Sequence, residues 1–424
     1  MIAAGRAAQK GASVTLLEKM ERPGKKVLIS GNTRCNLTNM LGIGGFVSMF
    51  GGNGKFLYPA FTRFFREELL ALLARYGVRT LVEPGGRVFP VSGQAADIVR
   101  ALQQYLDENT VKIVTGTGVT GIESIKDCAA AVKTAGAVYP ADAVVLATGG
   151  SSYPQTGSAG DGYRMAAALG HTVVKQRPAL VPLVVEETEK AAGLQGISLQ
   201  DIRLTSFACP AGEIDTSRIP GHECGRGIGG RRPRPPVIES RSGGLVFTHY
   251  GLSGPAVLLM SLAVADALQT GPAGLSIDLL PATGHKQLAG EIQSAFDRRN
   301  SRFIQNILEE LVPGRVAATV LDNAGVHPET KAGRVSAGQR EAICRTLKDL
   351  RFNIRKTRPL AEAMVTAGGV SLTEVDPRTM QSKRVKGLYF CGEVLDIDAD
   401  TGGFNLQAAF STGWLAGESA ALPG

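Results

Sequence analysis

Three stretches of the chain concentrate residue types able to hold a polar, charged ligand. Ser13 to Glu18 (SVTLLE) is a short β-branched and aliphatic run ending in an acid, with Lys19 directly after it. In a dinucleotide fold, an acid at the end of the second strand accepts hydrogen bonds from a ribose hydroxyl. Gly24 to Asn39 (GKKVLISGNTRCNLTN) packs Gly24, Lys25, Lys26, Ser30, Gly31, Arg34 and Asn36 into one irregular stretch. That density of donors suits a phosphate, a ribityl chain and a flavin edge lying over exposed backbone. A plain surface loop is the alternative, because Gly, Asn, Ser and Thr are also turn formers. Near the C-terminus an apolar strand ends in Gly392 and Glu393, the acids Asp396, Asp398 and Asp400 follow, and Gly402 and Gly403 precede a helix that opens at Asn405 and Leu406. A helix N-terminus placed there faces an electron-rich carbonyl or phosphate oxygen. Thr148, Gly149 and Gly150 close another β-branched strand in the same manner.

Other patterns are weaker. The literal GxGxxG at Gly116, Gly118 and Gly121 is followed by IESI, a strand pattern, so it lacks the helix that a phosphate loop requires. It reads as a turn, with Val119 placed to pack on an adenine ring. The acidic triplet lacks the further ligands and closing Glu of a calcium loop, so no metal site is expected. Six cysteines are scattered without a CxxC pair, which argues against a disulfide scaffold or structural zinc. No catalytic side chain stands out; His249, in the glycine-bounded FTHYGLSG, and Cys35, within reach of a flavin, are weak candidates.

The elements that must position these residues follow from periodicity. A helix over 3–11 and a strand over 13–18 read as a βαβ unit entered after its first strand, so an upstream in-frame segment carrying an apolar strand and GxGxxG is expected. Apolar residues from Phe61 to Tyr76 predict one amphipathic helix over 59–76, and a second is expected over 94–107. Short strands follow from Val111 to Thr148, and Asp161 is placed to cap a helix reaching about Leu169. Alternating strands (LTSFAC, GGLVFTHY, GLSIDLL) give way to a helical stretch over 285–350. The expected organisation is a cofactor domain over 1–185, an inserted β-rich substrate domain over 186–284, a helical subdomain over 285–350, and a return to the insert and the cofactor domain over 351–424.

A chain of 424 residues exceeds one compact core. The start lacks the basic and long apolar regions of a signal peptide, and no apolar run reaches membrane-span length, so a cytoplasmic protein is expected. The net charge of +8 owes much to six arginines between Arg218 and Arg241, facing Glu223 and Glu239, in a Gly- and Pro-rich stretch read as a surface loop. Without interleaved aromatic residues, nucleic-acid binding is not the expected role.

Four separated stretches, LLEKMERPGKKVLISGNTRCNLTN, LATGGSSYPQTGSAGDGYRMAAALGH, GGLVFTHYGLSGPAVL and AGGVSLTEVDPRTMQSKRVKGLYFCGEVLDIDADTGGFNLQAAFSTGWLAG, resemble in the same order the bacterial flavoprotein family of aminoacetone oxidase-like and bile-acid enone reductase-like NAD(P)/FAD-dependent enzymes. The resemblance implies a Rossmann-like FAD-binding domain, lacking its first strand here, with an inserted β-barrel-like domain and a small helical subdomain. It implies Glu18 and Lys19 at the adenosine ribose, Lys25, Lys26 and Asn36 along the pyrophosphate and flavin, Val119 at adenine, and Glu393, Asn405 and Leu406 at the ribityl and isoalloxazine end. Thr33 departs from the family, which commonly has glycine there, as does the Arg/Pro segment. The implied activity is flavin-mediated hydride transfer involving a small organic substrate, with NAD(P)H as electron donor. The rivals are a flavin-deficient remnant and, on the net charge, a flavoprotein acting on tRNA.

Overall fold

The computed structural model describes residues 1–215 and 237–421. The chain divides into two compact units, one formed by Met1–Ala179 with Leu360–Gly424 and the other by Leu180–Pro359. The strands Leu183–Val185 and Leu350–Thr357 hydrogen-bond into the second unit's barrel.

The first unit contains two short parallel pairs. Thr15–Leu17 runs beside Lys112–Val114, and Val144–Leu146 beside Leu388–Phe390. Short parallel strands need helical crossovers that cover them, and here the apolar strand Leu388–Phe390 leads into the long C-terminal helix Phe404–Ala420. That helix packs on Ile2–Gln9 closely enough that a Cβ at Gly417 would stand 2.2 Å from the Ala3 carbonyl oxygen. Small residues at a helix crossing let the backbones approach in this way.

The helix expected over 59–76 is two helices, Tyr58–Arg63 and Arg66–Arg75. Phe64 and Phe65 take extended backbone between them, and the Glu68 carboxylate accepts from the Phe65 amide. The break sends neighbouring rings to different partners. Phe64 stacks on Trp414 at 4.3 Å, while Phe65 meets the Phe46 ring edge-on at 4.9 Å. The helix Ala95–Glu108 lies where periodicity placed it.

In the second unit six antiparallel strands close a barrel in the order Leu183–Val185, Gly251–Ser253, Val237–Thr248, Ser198–Phe207, Ala273–Asp278 and Leu350–Thr357. Residues 237–241, read from sequence as the end of a loop, are strand, with Ser206 opposite Glu239 and Leu204 opposite Arg241. The rest of the Arg/Pro segment, with Cys224, lies outside the described residues. The expected helical stretch resolves into His285–Arg298, Ile304–Leu308, Gly314–Asn323 and Ala337–Lys348, sharing one apolar core with the barrel. A buried ion pair joins them. Lys348 Nζ lies 2.8 Å from Asp278 Oδ1 and donates to the Leu280 and Thr283 carbonyls. Three acceptors around one buried ammonium satisfy its donors.

Candidate functional site

The strand Thr15–Leu17 delivers Glu18, whose backbone amide donates to the Val114 carbonyl and whose Oε1 accepts from the Met20 amide at 2.9 Å. Lys19 pairs with Asp161. Asp161 is the first residue of the helix Asp161–Ala168, with Gly160 as its N-cap, so its carboxylate is not a cap as expected from sequence. It binds Lys19 and Arg164 instead, and these two cations hold it below its ordinary range against the upward push of desolvation.

The stretch from Gly24 to Asn39 is a short helix, Lys25–Ile29, followed by a left-handed turn. Gly31, Asn32 and Thr33 have φ of 55°, 58° and 67°, and Cys35 has 60°. Most side chains chosen here from sequence are engaged within the protein. Lys25 pairs with Glu21 at 2.7 Å, Ser30 Oγ donates to the Val27 carbonyl, and Arg34 pairs with Glu83 while lying 4.3 Å over the Phe89 ring. Asn36, with its amide oriented to satisfy both groups, donates to the Thr38 carbonyl and accepts from the Gly403 amide, each at 3.2 Å. Cys35 is fully buried, and desolvation pushes its thiol up to about 11. A thiol so placed is not a reactive nucleophile.

Lys26 reaches further. Its Nζ donates to Ser152 Oγ at 2.8 Å and pairs with Glu393. Glu393 Oε1 accepts from the Thr366 amide at 2.8 Å and Ser152 Oγ at 3.2 Å, and the Glu393 carbonyl accepts from the Tyr163 hydroxyl at 3.0 Å. Thus the Glu393 carboxylate gathers residues from three separated segments, and its backbone carbonyl a fourth residue, Tyr163. Gly150 lies against it, where a Cβ would stand 2.4 Å from Thr366 Oγ1 and 2.8 Å from Glu393 Oε1. Ser152, Thr366 and Tyr163 were not found from sequence. Ser152 had a signal, since it follows the glycine pair closing the strand, but nothing local marks Thr366 or Tyr163.

The C-terminal helix opens at Phe404, with Gly403 at its N-cap in left-handed backbone (φ 93°). A Cβ there would stand 2.4 Å from the Thr38 carbonyl oxygen. No side chain caps this N-terminus, which leaves first-turn amides to an electron-rich ligand. Asn405 does not serve as that cap. Its amide clasps Ala399, accepting from the backbone N–H at 2.9 Å and donating to the carbonyl at 2.8 Å, and so closes the Gly392–Gly403 loop. Leu406 is partly buried and packs against the buried core that includes Leu37, Phe64 and Phe410. Asp396, in the same loop, has its carboxyl raised by desolvation against the nearby Asn53 amide and Arg177 charge. Thr148, Gly149 and Gly392 line the two parallel strand ends; Gly149 and Gly392 have φ of 72° and 75°. Gly116 has φ 64°, and Val119 to Gly121 already belong to the strand Val119–Ile125, so GTGVTG leads into a strand and not into a helix. His249 belongs to the barrel unit, where it is exposed and meets the Tyr250 ring edge-on at 4.8 Å. Among the described residues no cluster of His, Cys, Asp or Glu could hold a metal ion, and no helix is long and apolar enough to cross a membrane.

The profile of the HI0933-like protein Rossmann domain matches residues 1–419. The chain belongs to this family. It is an FAD-dependent oxidoreductase, as the sequence resemblance implied. The chain is 32% identical over 413 residues to a 3-dehydro-bile acid delta(4,6)-reductase of Clostridium scindens, covering 97% of this chain and 93% of the relative. It is 28% identical over 422 residues to a ribosomal RNA dihydrouridine synthase of Escherichia coli, covering 98% and 93%. Among solved structures it resembles a 3-ketosteroid-delta4-(5alpha)-dehydrogenase from Rhodococcus jostii RHA1, with TM-score 0.44 and 14% identity, over 100% of this chain and 94% of the other. The residues present fit the family's flavin: an acid at a parallel strand end, an uncapped helix N-terminus, and a lysine and carboxylate beside a glycine that admits no side chain.

Proposed function

We propose that this protein reduces a carbon–carbon double bond conjugated to a carbonyl, using NAD(P)H as electron donor, and that its substrate is a small organic enone. The observation that carries this reading is the near full-length similarity to a bile-acid reductase. A 3-dehydro bile acid with delta(4,6) unsaturation is a conjugated dienone. Bound FAD, once reduced by NAD(P)H, would supply the hydride that the β-carbon of an enone accepts. The protein's own part is to hold and orient. Glu18 and Lys19 would take the adenosine end, and Lys25, Lys26 and Asn36 the pyrophosphate and flavin side. Glu393, fixed by Lys26, Ser152 and the Thr366 amide, would take the ribityl and isoalloxazine end with the first turn of the C-terminal helix.

The rRNA dihydrouridine synthase relatives support a second reading with the same chemistry, since the uracil C5=C6 bond is also conjugated to a carbonyl. Anaerobic reduction of the holoenzyme by NADH and NADPH, followed by mixing with a 3-oxo-4-ene steroid or with uridine-containing RNA, separates the two. Reoxidation of the flavin by the steroid with loss of its enone absorbance supports the first. Reoxidation by RNA alone, with dihydrouridine in the digest, replaces it with the second. Failure of both substrates overturns the class.

A further inference from the structure

Beyond the Glu393 cluster, the first unit holds a second polar group that the proposed chemistry does not use. His171 follows the helix Asp161–Ala168 and is 4% exposed; Ser382 is 6% exposed. Ser382 Oγ lies 2.9 Å from His171 Nε2, and His171 Nδ1 lies 3.2 Å from Glu374 Oε2 without a well-aligned hydrogen bond. Hydroxyl, imidazole and carboxylate in this order are the parts of a hydrolytic triad, but this serine is no nucleophile. Its oxygen accepts from the Arg384 amide at 3.0 Å and the Val385 amide at 2.8 Å. Both lone pairs are taken, so Ser382 has only its O–H left to give, and His171 Nε2 must be the acceptor. The imidazole is therefore neutral, with its proton on Nδ1 toward Glu374.

The position of this group gives it a consequence. The Ser382 amide donates to the Leu388 carbonyl at 2.7 Å, and the Phe390 amide donates to the Met380 carbonyl at 3.0 Å. Leu388–Phe390 is the strand that leads through Cys391 to Gly392 and Glu393. The His171 ring also meets the Phe390 ring edge-on at 4.9 Å. We infer that His171, Ser382 and Glu374 form a neutral-imidazole clasp that sets the position of the strand presenting Glu393, and through it flavin retention. This rests on the reading that Glu393 holds the flavin.

The clasp is sensitive to acid. The charged groups acting on His171 are Glu374 and Arg384; the preceding helix contributes the Ala166 carbonyl to its backbone amide, and the strand contributes the apolar Phe390 ring. Burial and the Arg384 charge lower the imidazole from 6.5, outweighing Glu374. Glu374 is itself held to about 2, by Arg384 first and then by the Thr172 amide and hydroxyl. As pH falls through 6.5 the unfolded chain takes up a proton on this residue that the folded chain resists, so the fold loses stability; above 6.5 the contribution is fully present. A protonated Nε2 would face Ser382 donor to donor.

The test compares holoenzyme carrying His171→Gln, His171→Ala, Ser382→Ala and Glu393→Gln. Glutamine keeps an acceptor and a donor on one side chain but does not titrate. His171→Gln is expected to retain flavin at pH 7.5 and to lack the loss of flavin and thermal stability that the unsubstituted protein shows on acidification below 6.5. His171→Ala and Ser382→Ala are expected to lose flavin several-fold at every pH. Nitrogen-15 shifts of the His171 ring at neutral pH should report a proton on Nδ1. A proton on Nε2, or a His171→Gln protein with an unchanged acid response, overturns the clasp. If Glu393→Gln lowers flavin content and His171→Ala does not, the clasp alone fails. If Glu393→Gln keeps its flavin, the Glu393 reading fails, and the ring tautomer and acid response still decide whether the clasp exists.

Discussion

Thr33 shows what a single backbone angle costs. It is β-branched, exposed and left-handed at φ 67°, third in the run from Gly31. An L-residue there loses about 1–2 kcal/mol, and glycine would give part of that back as unfolded-chain entropy. Thr33→Gly should therefore raise stability by about 0.5–1 kcal/mol, read as a higher denaturant midpoint at unchanged slope. The turn itself was legible, since Ser-Gly-Asn is turn chemistry; its left-handed run was not, because threonine argues against it. At the same scale, Glu393→Ala should lower flavin occupancy more than Asp398→Ala, because Glu393 gathers Lys26, Ser152 and the Thr366 amide. The ratio of flavin to protein absorbance in the purified variants checks it, and equal ratios would refute it. The site's acid was readable from its place after a strand-end glycine. Its partners Thr366 and Tyr163 were not, since long-range contacts leave no local pattern.

Elements were legible where their period was long and uninterrupted, as in Ala95–Glu108, and misread where tertiary contacts overrode it, as at Phe64 and Phe65. The helix crossing of Ile2–Gln9 with the C-terminal helix carries a charge cluster that sequence does not announce. Glu418, with 8% of its side chain exposed, binds Arg63 and Arg6, with Lys10 3.4 Å away. Arg63 first, then Arg6, hold its carboxyl down at about 2 from 4.5. Its contribution to stability is full above pH 4.5 and is lost as pH falls toward 2. Glu418→Gln should cost about 2–3 kcal/mol at neutral pH by leaving the two guanidiniums underpaired. The deficit should shrink in acid, as thermal melts across that window would show. A pH-independent deficit would mean that packing and not charge is lost.

At the scale of the molecule, the alternating strands between the two halves of the first unit were legible as a β-rich insert, and the family resemblance supplied the barrel. The closure itself depends on which strands pair, and pairing between distant strands has no sequence period. Because FAD would bind only the folded chain, added FAD should stabilise flavin-stripped protein by about 2.7 kcal/mol at a hundredfold excess over Kd, read as a thermal midpoint that rises with FAD concentration. FMN should do less if Glu18 holds an adenosine ribose, and mass spectrometry of the released cofactor should find FAD. Within the barrel, Ser198–Phe207 and Val237–Thr248 are direct neighbours with Phe207 opposite Val237, so the barrel itself holds these two strand ends together. Lengthening a connection between ends so held costs only about 0.6 kcal/mol per doubling. A reporter peptide spliced between these two strands should therefore leave the barrel folded, with an unchanged thermal midpoint as the check.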